Sequence, residues 1–229
     1  MNRMSLFEWL LNEFLAYYKI TSRSVSPISA MTQESLFDLS DSAVSLGRIL
    51  PARVGDVSFK NQGGIVEVVW YNDFVNQCNK PDSFQKGRRR CDFLMNASSS
   101  GSKSICLVEV TTAKDEVALF QPIGDNSHWY ALGKFEKCEI QLFESLKTLL
   151  AVNGFEQHVS SCNKRCCIMA YHLKQSSIQK DGVTLRFPQA RYLRVESRIP
   201  GGAIISSPDI NVLGFEYVRL SHDQVFSLL

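Results

Sequence analysis

The chain has 229 residues, 45% hydrophobic and 21% charged, with 25 Lys plus Arg against 23 Asp plus Glu for a formal net charge of +2. That composition excludes disorder, collagen-like sequence and a disulfide scaffold, and a chain of this size buries roughly 70 to 75% of its unfolded surface without a structural metal. The small net charge excludes a uniformly basic nucleic-acid coat protein but leaves a local basic patch open.

In chain order, residues 6–20 are apolar but interrupted by Glu8, Asn12 and Glu13. They are too short to span a bilayer and lack the pattern of a signal peptide. Ser5 with Glu8 forms a capping box, and Leu6, Leu10, Phe14 and Tyr17 recur at helical spacing, which predicts an amphipathic helix. A Ser-rich linker follows, then a second helix over 32–50 with Leu36, Leu39, Val44 and Leu46 as its stripe, ended by Pro51. Residues 54–60 and 65–71 read as a hairpin around Asn61-Gln62-Gly63-Gly64, and 72–85 as a polar loop.

Residues 87–96 and 104–112 read as two strands joined by the flexible stretch 97–104. After a loop with Pro122 and Gly124 comes a long helix over 127–152, striped by Phe135, Cys138, Leu142, Leu146 and Leu149. Residues 165–173 are almost wholly apolar, the mark of a strand buried on both faces. Short strands are expected at 182–187, 191–195, 203–206 and 213–220, with Ser221 and Gln224 capping a last helix. The fold class expected is α/β, a mixed central sheet flanked by helices, in one domain: an N-terminal helix and linker over 1–31, a core over 32–173 and a β-rich extension over 174–229.

Seven cysteines, irregularly spaced and partly inside apolar runs, fit reduced thiols in a cytoplasmic protein. His158, Cys162, Cys166, Cys167 and His172 lack the paired spacing of a zinc site, and Cys166 and Cys167 should point to opposite strand faces, so buried thiols are favoured over a metal.

If 88–96 pairs antiparallel with 104–112 so that Asp92 faces Glu109, then Leu94 faces Leu107 and Asn96 faces Ile105, all on one sheet face. Two carboxylates this close in apolar strands repel unless a proton or cation intervenes, and Mg²⁺ or Mn²⁺ is the simplest resolution. The competing reading makes them rim ion pairs, Asp92 with Arg88 or Arg90 and Glu109 with a lysine. Glu34 and Asp38 on the second helix, and Glu67 in the hairpin, read as solvated charges rather than ligands. Lys86, Arg88, Arg89 and Arg90 are the densest positive run and suit phosphate contacts, or equally a charged edge strand.

An Asp opening one strand, a Glu-x-Thr near the end of the next, a long helix and a buried strand resemble the PD-(D/E)XK nuclease superfamily, the restriction-endonuclease-like fold. The resemblance implies that Asp92 and Glu109 hold the metal and that a lysine two residues after the Glu assists the attacking water. Thr111 occupies that lysine position; it can hold a water but supplies no charge. Lys114, or Lys137 beside Lys134 on the long helix, would then offer the charge. Gln141 continues that helix face and would begin the Gln-x-x-x-Tyr arrangement of one branch, with Ser145 in place of the Tyr. Two functions follow: a nucleic-acid-engaging protein, as a metal-dependent phosphodiesterase acting on DNA or RNA, or a non-catalytic subunit of a larger assembly such as a prokaryotic defence or DNA-processing complex.

Overall fold

The computed structural model describes residues 4–20, 24–78, 89–111, 133–172, 178–180, 183–185 and 195–229. Helix α1 runs over Leu6–Trp9, a π-turn at Leu10–Phe14 and a last turn at Leu15–Tyr17. Strands β1 (Ser29–Thr32), β2 (Leu36–Leu39), β3 (Leu50–Pro51), β4 (Val57–Lys60) and β5 (Ile65–Trp70) precede helix α2 (Tyr71–Cys78). Strands β6 (Phe93–Ser98) and β7 (Lys103–Thr111) lead to helices α3 (Lys134–Leu150) and α4 (Phe155–Ser160), then β8 (Lys164–Tyr171). The remainder holds the hairpin β9 (Ile178–Lys180) with β10 (Val183–Leu185), strand β11 (Ala203–Ile205), helix α5 (Pro208–Asn211), and strands β12 (Glu216–Ser221) and β13 (Val225–Ser227).

A seven-stranded sheet has the order β1-β5-β6-β7-β8-β12-β11, and a four-stranded sheet the order β13-β4-β2-β3. Strands β5, β6 and β7 form an antiparallel meander; β8 lies parallel to β7, and β12 parallel to β8. Such a parallel step needs a crossover, which α3 and α4 supply. One face of the large sheet, with Leu94, Leu107, Cys167, Met169 and Tyr217, buries against α1, α2, α3 and α4. The other, with Val68, Met95, Val108, Ile168 and Val218, packs on Phe37, Leu39, Phe59 and Phe226 of the small sheet. The mixed sheet flanked by helices is as expected, and the small sheet forms a further layer.

Several local expectations are corrected. The predicted helix over 32–50 is strands β2 and β3 with a 3₁₀ turn at Ala43–Ser45. Asp38 is fully buried there and accepts the Val54 and Gly55 N–H groups at 2.8 Å each, so a polar residue interrupts what is in fact a strand. Strands β4 and β5 are not a hairpin, because they belong to different sheets. The Asn61 side chain bridges their connection, donating to Gly64 O at 2.6 Å and accepting from Gly64 N–H at 2.9 Å. Gly64 is required: a Cβ there would lie 2.6 Å from Ser98 O. The first part of the predicted polar loop is helix α2, and Ser221 to Gln224 is a tight turn into β13 rather than a helix start, with Gln224 Oε1 accepting Ser221 N–H at 2.6 Å. Residues 127–132, 186–190 and most of 191–195 lie outside the described residues.

The Ser5–Glu8 capping box forms as read. Leu6, Leu10 and Phe14 are buried, but the π-turn inserts an extra residue per turn and rotates Tyr17 outward. Tyr18 turns inward instead, its hydroxyl donating to Thr148 O at 2.8 Å. Glu67 is not solvated: it is buried and accepts Leu6 N–H at 2.9 Å and Phe7 N–H at 2.8 Å, capping α1 from the sheet.

Candidate acidic site at the strand ends

The pairing Leu94 with Leu107 and Asn96 with Ile105 is the register that sets Asp92 beside Glu109, on the face covered by α3. Asp92 precedes β6 and continues its ladder, its N–H donating to Val108 O at 3.0 Å. Its Oδ2 accepts Val110 N–H at 2.7 Å, which fixes the carboxyl against β7. Glu109 Oε1 accepts Gln141 Nε2 at 2.6 Å, and the same nitrogen donates to Arg90 O at 3.0 Å. Ser145 donates to Gln141 O at 2.8 Å while accepting Cys91 N–H at 2.8 Å, so α3 clamps the backbone entering β6. Both carboxyl groups are only 6% exposed as residues, and Glu109 Oε2 is buried with no N–H or hydroxyl donor, facing only the Asp92 carboxyl.

Burial, then the charge of Asp41, raises Asp92 to about 7 against the opposing Val110 N–H. Burial, then Asp92 and Asp41, raises Glu109 well above the usual carboxylate range. The two carboxyl groups approach closely enough to share a proton, which the pair requires if no cation is bound. Asp41, from the turn after β2, is exposed as a residue, yet partial desolvation of its carboxyl raises it, ahead of Asp73 and Asp56. Burial also raises Asp73 on α2, opposed by Arg90.

Among the described residues, no group of three or more His, Cys, Asp or Glu side chains has the arrangement of a metal site. The facing pair with its orphaned Oε2 nevertheless fits a hard cation of the Mg²⁺ kind, which draws on one or two carboxylates and completes its shell with water or substrate oxygens.

Of the other site residues read from the sequence, Thr111 is buried on the same face, and its hydroxyl bonds the Cys138 thiol of α3. Lys137 lies one turn before Gln141, and burial followed by the charges of Lys134 and Arg89 lowers it, so these three cations form one group. Arg90 is directed to α2, where Nε donates to Asn72 Oδ1 at 2.7 Å and a terminal nitrogen to Asn76 Oδ1. It latches that helix. Lys86, Arg88 and Lys114 lie outside the described residues. All seven cysteines are free and buried; Cys162 bonds His158 O, and Cys166 and Cys167 enter the two opposite cores as read.

Sequence reasoning missed Asp41 and Asp73. Asp41 lies within a segment taken for helix and Asp73 within one taken for loop, so neither stood near the pair in any pattern. Strand β8 ends beside the same site, where His172 Nε2 lies 3.1 Å from Asp56 Oδ1 and its ring stacks on His222 with centroids 4.6 Å apart. No family model matches the chain, and neither a curated protein nor a solved structure does.

Proposed function

We propose that the chain is a nucleic-acid-engaging protein with a restriction-endonuclease-like core, and that it hydrolyses phosphodiesters with a divalent ion held by Asp92 and Glu109. The observation carrying this reading is the buried, facing carboxyl pair at the ends of β6 and β7, which needs a shared proton or a cation between its two groups. The order of elements supports it, β6 with Asp92 at its start, β7 with Glu109 near its end, then helix α3 and the buried strand β8, being the order on which the resemblance rests. A bound Mg²⁺ or Mn²⁺ would supply Lewis-acid charge at the phosphate. Gln141 would orient Glu109, the Val110 N–H would orient Asp92, and Arg89, Lys134 and Lys137 would hold phosphate oxygens in place of the missing lysine.

A second reading, a non-catalytic interaction subunit, is favoured by one observation: the Thr111 hydroxyl at the lysine position is engaged with Cys138. Incubating the protein with plasmid, linear and single-stranded DNA and with RNA in Mg²⁺ or Mn²⁺ separates the two. Cleavage abolished by Asp92→Asn and by Glu109→Gln supports the first reading. Absence of cleavage on every substrate, with a protein partner co-purifying, supports the second.

A further inference from the structure

The C-terminal strand β12 brings a second set of unsatisfied groups to the same face and the same end of the sheet. The parallel registers align Glu109, Met169 and Arg219 in one row and Thr111, Tyr171 and Ser221 in the next. Met169 and Tyr171 belong to the helix-side core, so Arg219 rises from that face two strands from Glu109, about 10 Å away at the usual strand spacing.

The Arg219 guanidinium lies over the Phe135 ring at 4.5 Å, and Phe135 packs edge-on against Tyr171 at 5.5 Å. Its charged partner is Glu196, at a long 3.4 Å from a terminal nitrogen, and it also bonds the Tyr217 hydroxyl. That geometry leaves Arg219 Nε, Glu196 Oε2, the Tyr171 hydroxyl and the Ser221 hydroxyl buried without partners, with Tyr171 and Ser221 wholly inaccessible as residues. Most buried polar groups in native proteins are satisfied, so this cluster of orphans beside a cation marks an incomplete site. The Arg219 side chain keeps 19% exposure and Glu196 15%, so the pair reaches solvent.

We propose that Arg219 binds a second phosphate group of the nucleic-acid backbone at its solvent-facing end, and that the Glu196 carboxylate occupies this position until the phosphate displaces it. A phosphate accepts more fully from the solvent-facing terminal N–H donors of the guanidinium than the one long carboxylate contact does. Glu196 ends a helical turn anchored through its backbone, Gln224 Nε2 donating to Glu196 O at 2.8 Å, so an outward rotation of its carboxylate leaves the strand in place. Burial raises Glu196 above its ordinary range, which eases its release. This inference rests on the nucleic-acid reading and adds to it where the strand passes after the carboxylate pair.

The test uses the full chain in EDTA and again with Ca²⁺ in place of Mg²⁺, so that binding is read without cleavage and with the carboxyl pair compensated. Anisotropy of short fluorescein-labelled single-stranded DNA and RNA is read against salt for wild type, Arg219→Gln, Arg219→Lys and Glu196→Gln, and thermal melts with inorganic phosphate are run on each. The inference predicts that Arg219→Gln weakens binding about tenfold and lowers the salt slope by about 0.7, the loss of one phosphate contact on a single strand. Arg219→Lys keeps the salt slope, and Glu196→Gln tightens binding. Glu196→Gln keeps the test decisive if Arg219→Gln fails to fold. Oligonucleotide binding that none of these variants alters overturns the inference and leaves the nucleic-acid reading standing. No oligonucleotide binding, with phosphate stabilising wild type and more strongly Glu196→Gln but not Arg219→Gln, keeps the anion position and overturns the nucleic-acid reading. No response to either probe overturns both, and a buried water then suffices for the orphaned groups.

Discussion

The Asp92–Glu109 pair makes the metal-free protein less stable as pH rises, and the size of the effect follows from its burial. Asp92 is raised from 3.8 to about 7 in the folded chain. Between those values the unfolded chain has released the proton and the folded chain keeps it, so the native state binds more protons and unfolding free energy falls with pH. A shift of about three pH units corresponds to on the order of 4 kcal/mol, reached once pH exceeds about 7, and Glu109 shifts in the same direction. Asp92→Asn removes the titration while its side-chain oxygen can still accept the Val110 N–H. Urea unfolding in EDTA at a series of pH values should show Asp92→Asn gaining on wild type by on the order of 4 kcal/mol between about pH 4 and pH 8. Adding Mg²⁺ at the high end should stabilise wild type and leave the variant unchanged. A stability difference that stays flat with pH would show that the pair is already hydrated or charge-compensated, and the metal argument would lose its basis.

Other expectations are smaller in scope. Glu67→Ala leaves two N–H groups at the start of α1 unsatisfied and should cost about 2 to 3 kcal/mol in urea unfolding, with Glu67→Gln costing less. Arg90→Ala should lower the melting temperature by releasing Asn72 and Asn76 of α2, whereas Arg89→Ala should weaken oligonucleotide binding. Gln141→Ala should lower Mg²⁺ affinity about tenfold by calorimetry, because it frees Glu109 to rotate, while Gln141→Glu should be worse in the metal-free state through added repulsion. Cys78 is pushed up to about 12 by burial, so it and the other buried thiols should react with a thiol reagent only as fast as the chain unfolds.

The register of β6 and β7 was legible because apolar alternation fixes it, and a slip by one residue would drive Leu94 and Leu107 off the α3 face. The buried strand β8 and helix α3 were legible for the same reason of period. The segment 32–50 misled because Leu36 and Leu39 fit helical spacing and the strand alternation is short, Phe37 and Leu39 entering the core with Asp38 on the opposite face; the partners that bury Asp38, the N–H groups of Val54 and Gly55, arrive from elsewhere in the chain. Helix α2 did carry a signal, with Tyr71, Phe74, Val75 and Cys78 buried at helical spacing, but it spans 8 residues and its Asn72, Asn76 and Gln77 read as loop. The partners of β4 and β5 were not legible, since which sheet a strand joins is decided by distant segments. The same holds for Asp41 and Asp73, whose charge reaches the site only through the fold.

The chain crosses between the two sheets at residues 33–35, 61–64 and 222–224. The small sheet is therefore stitched to the large one and cannot leave as a unit. Because Asp41 rides on its β2 end, loosening the small sheet would withdraw negative potential from Asp92 and Glu109 and make their ionisation easier. Anything that grips or pries that sheet would thus tune the affinity of the carboxyl pair for protons and cations without touching it.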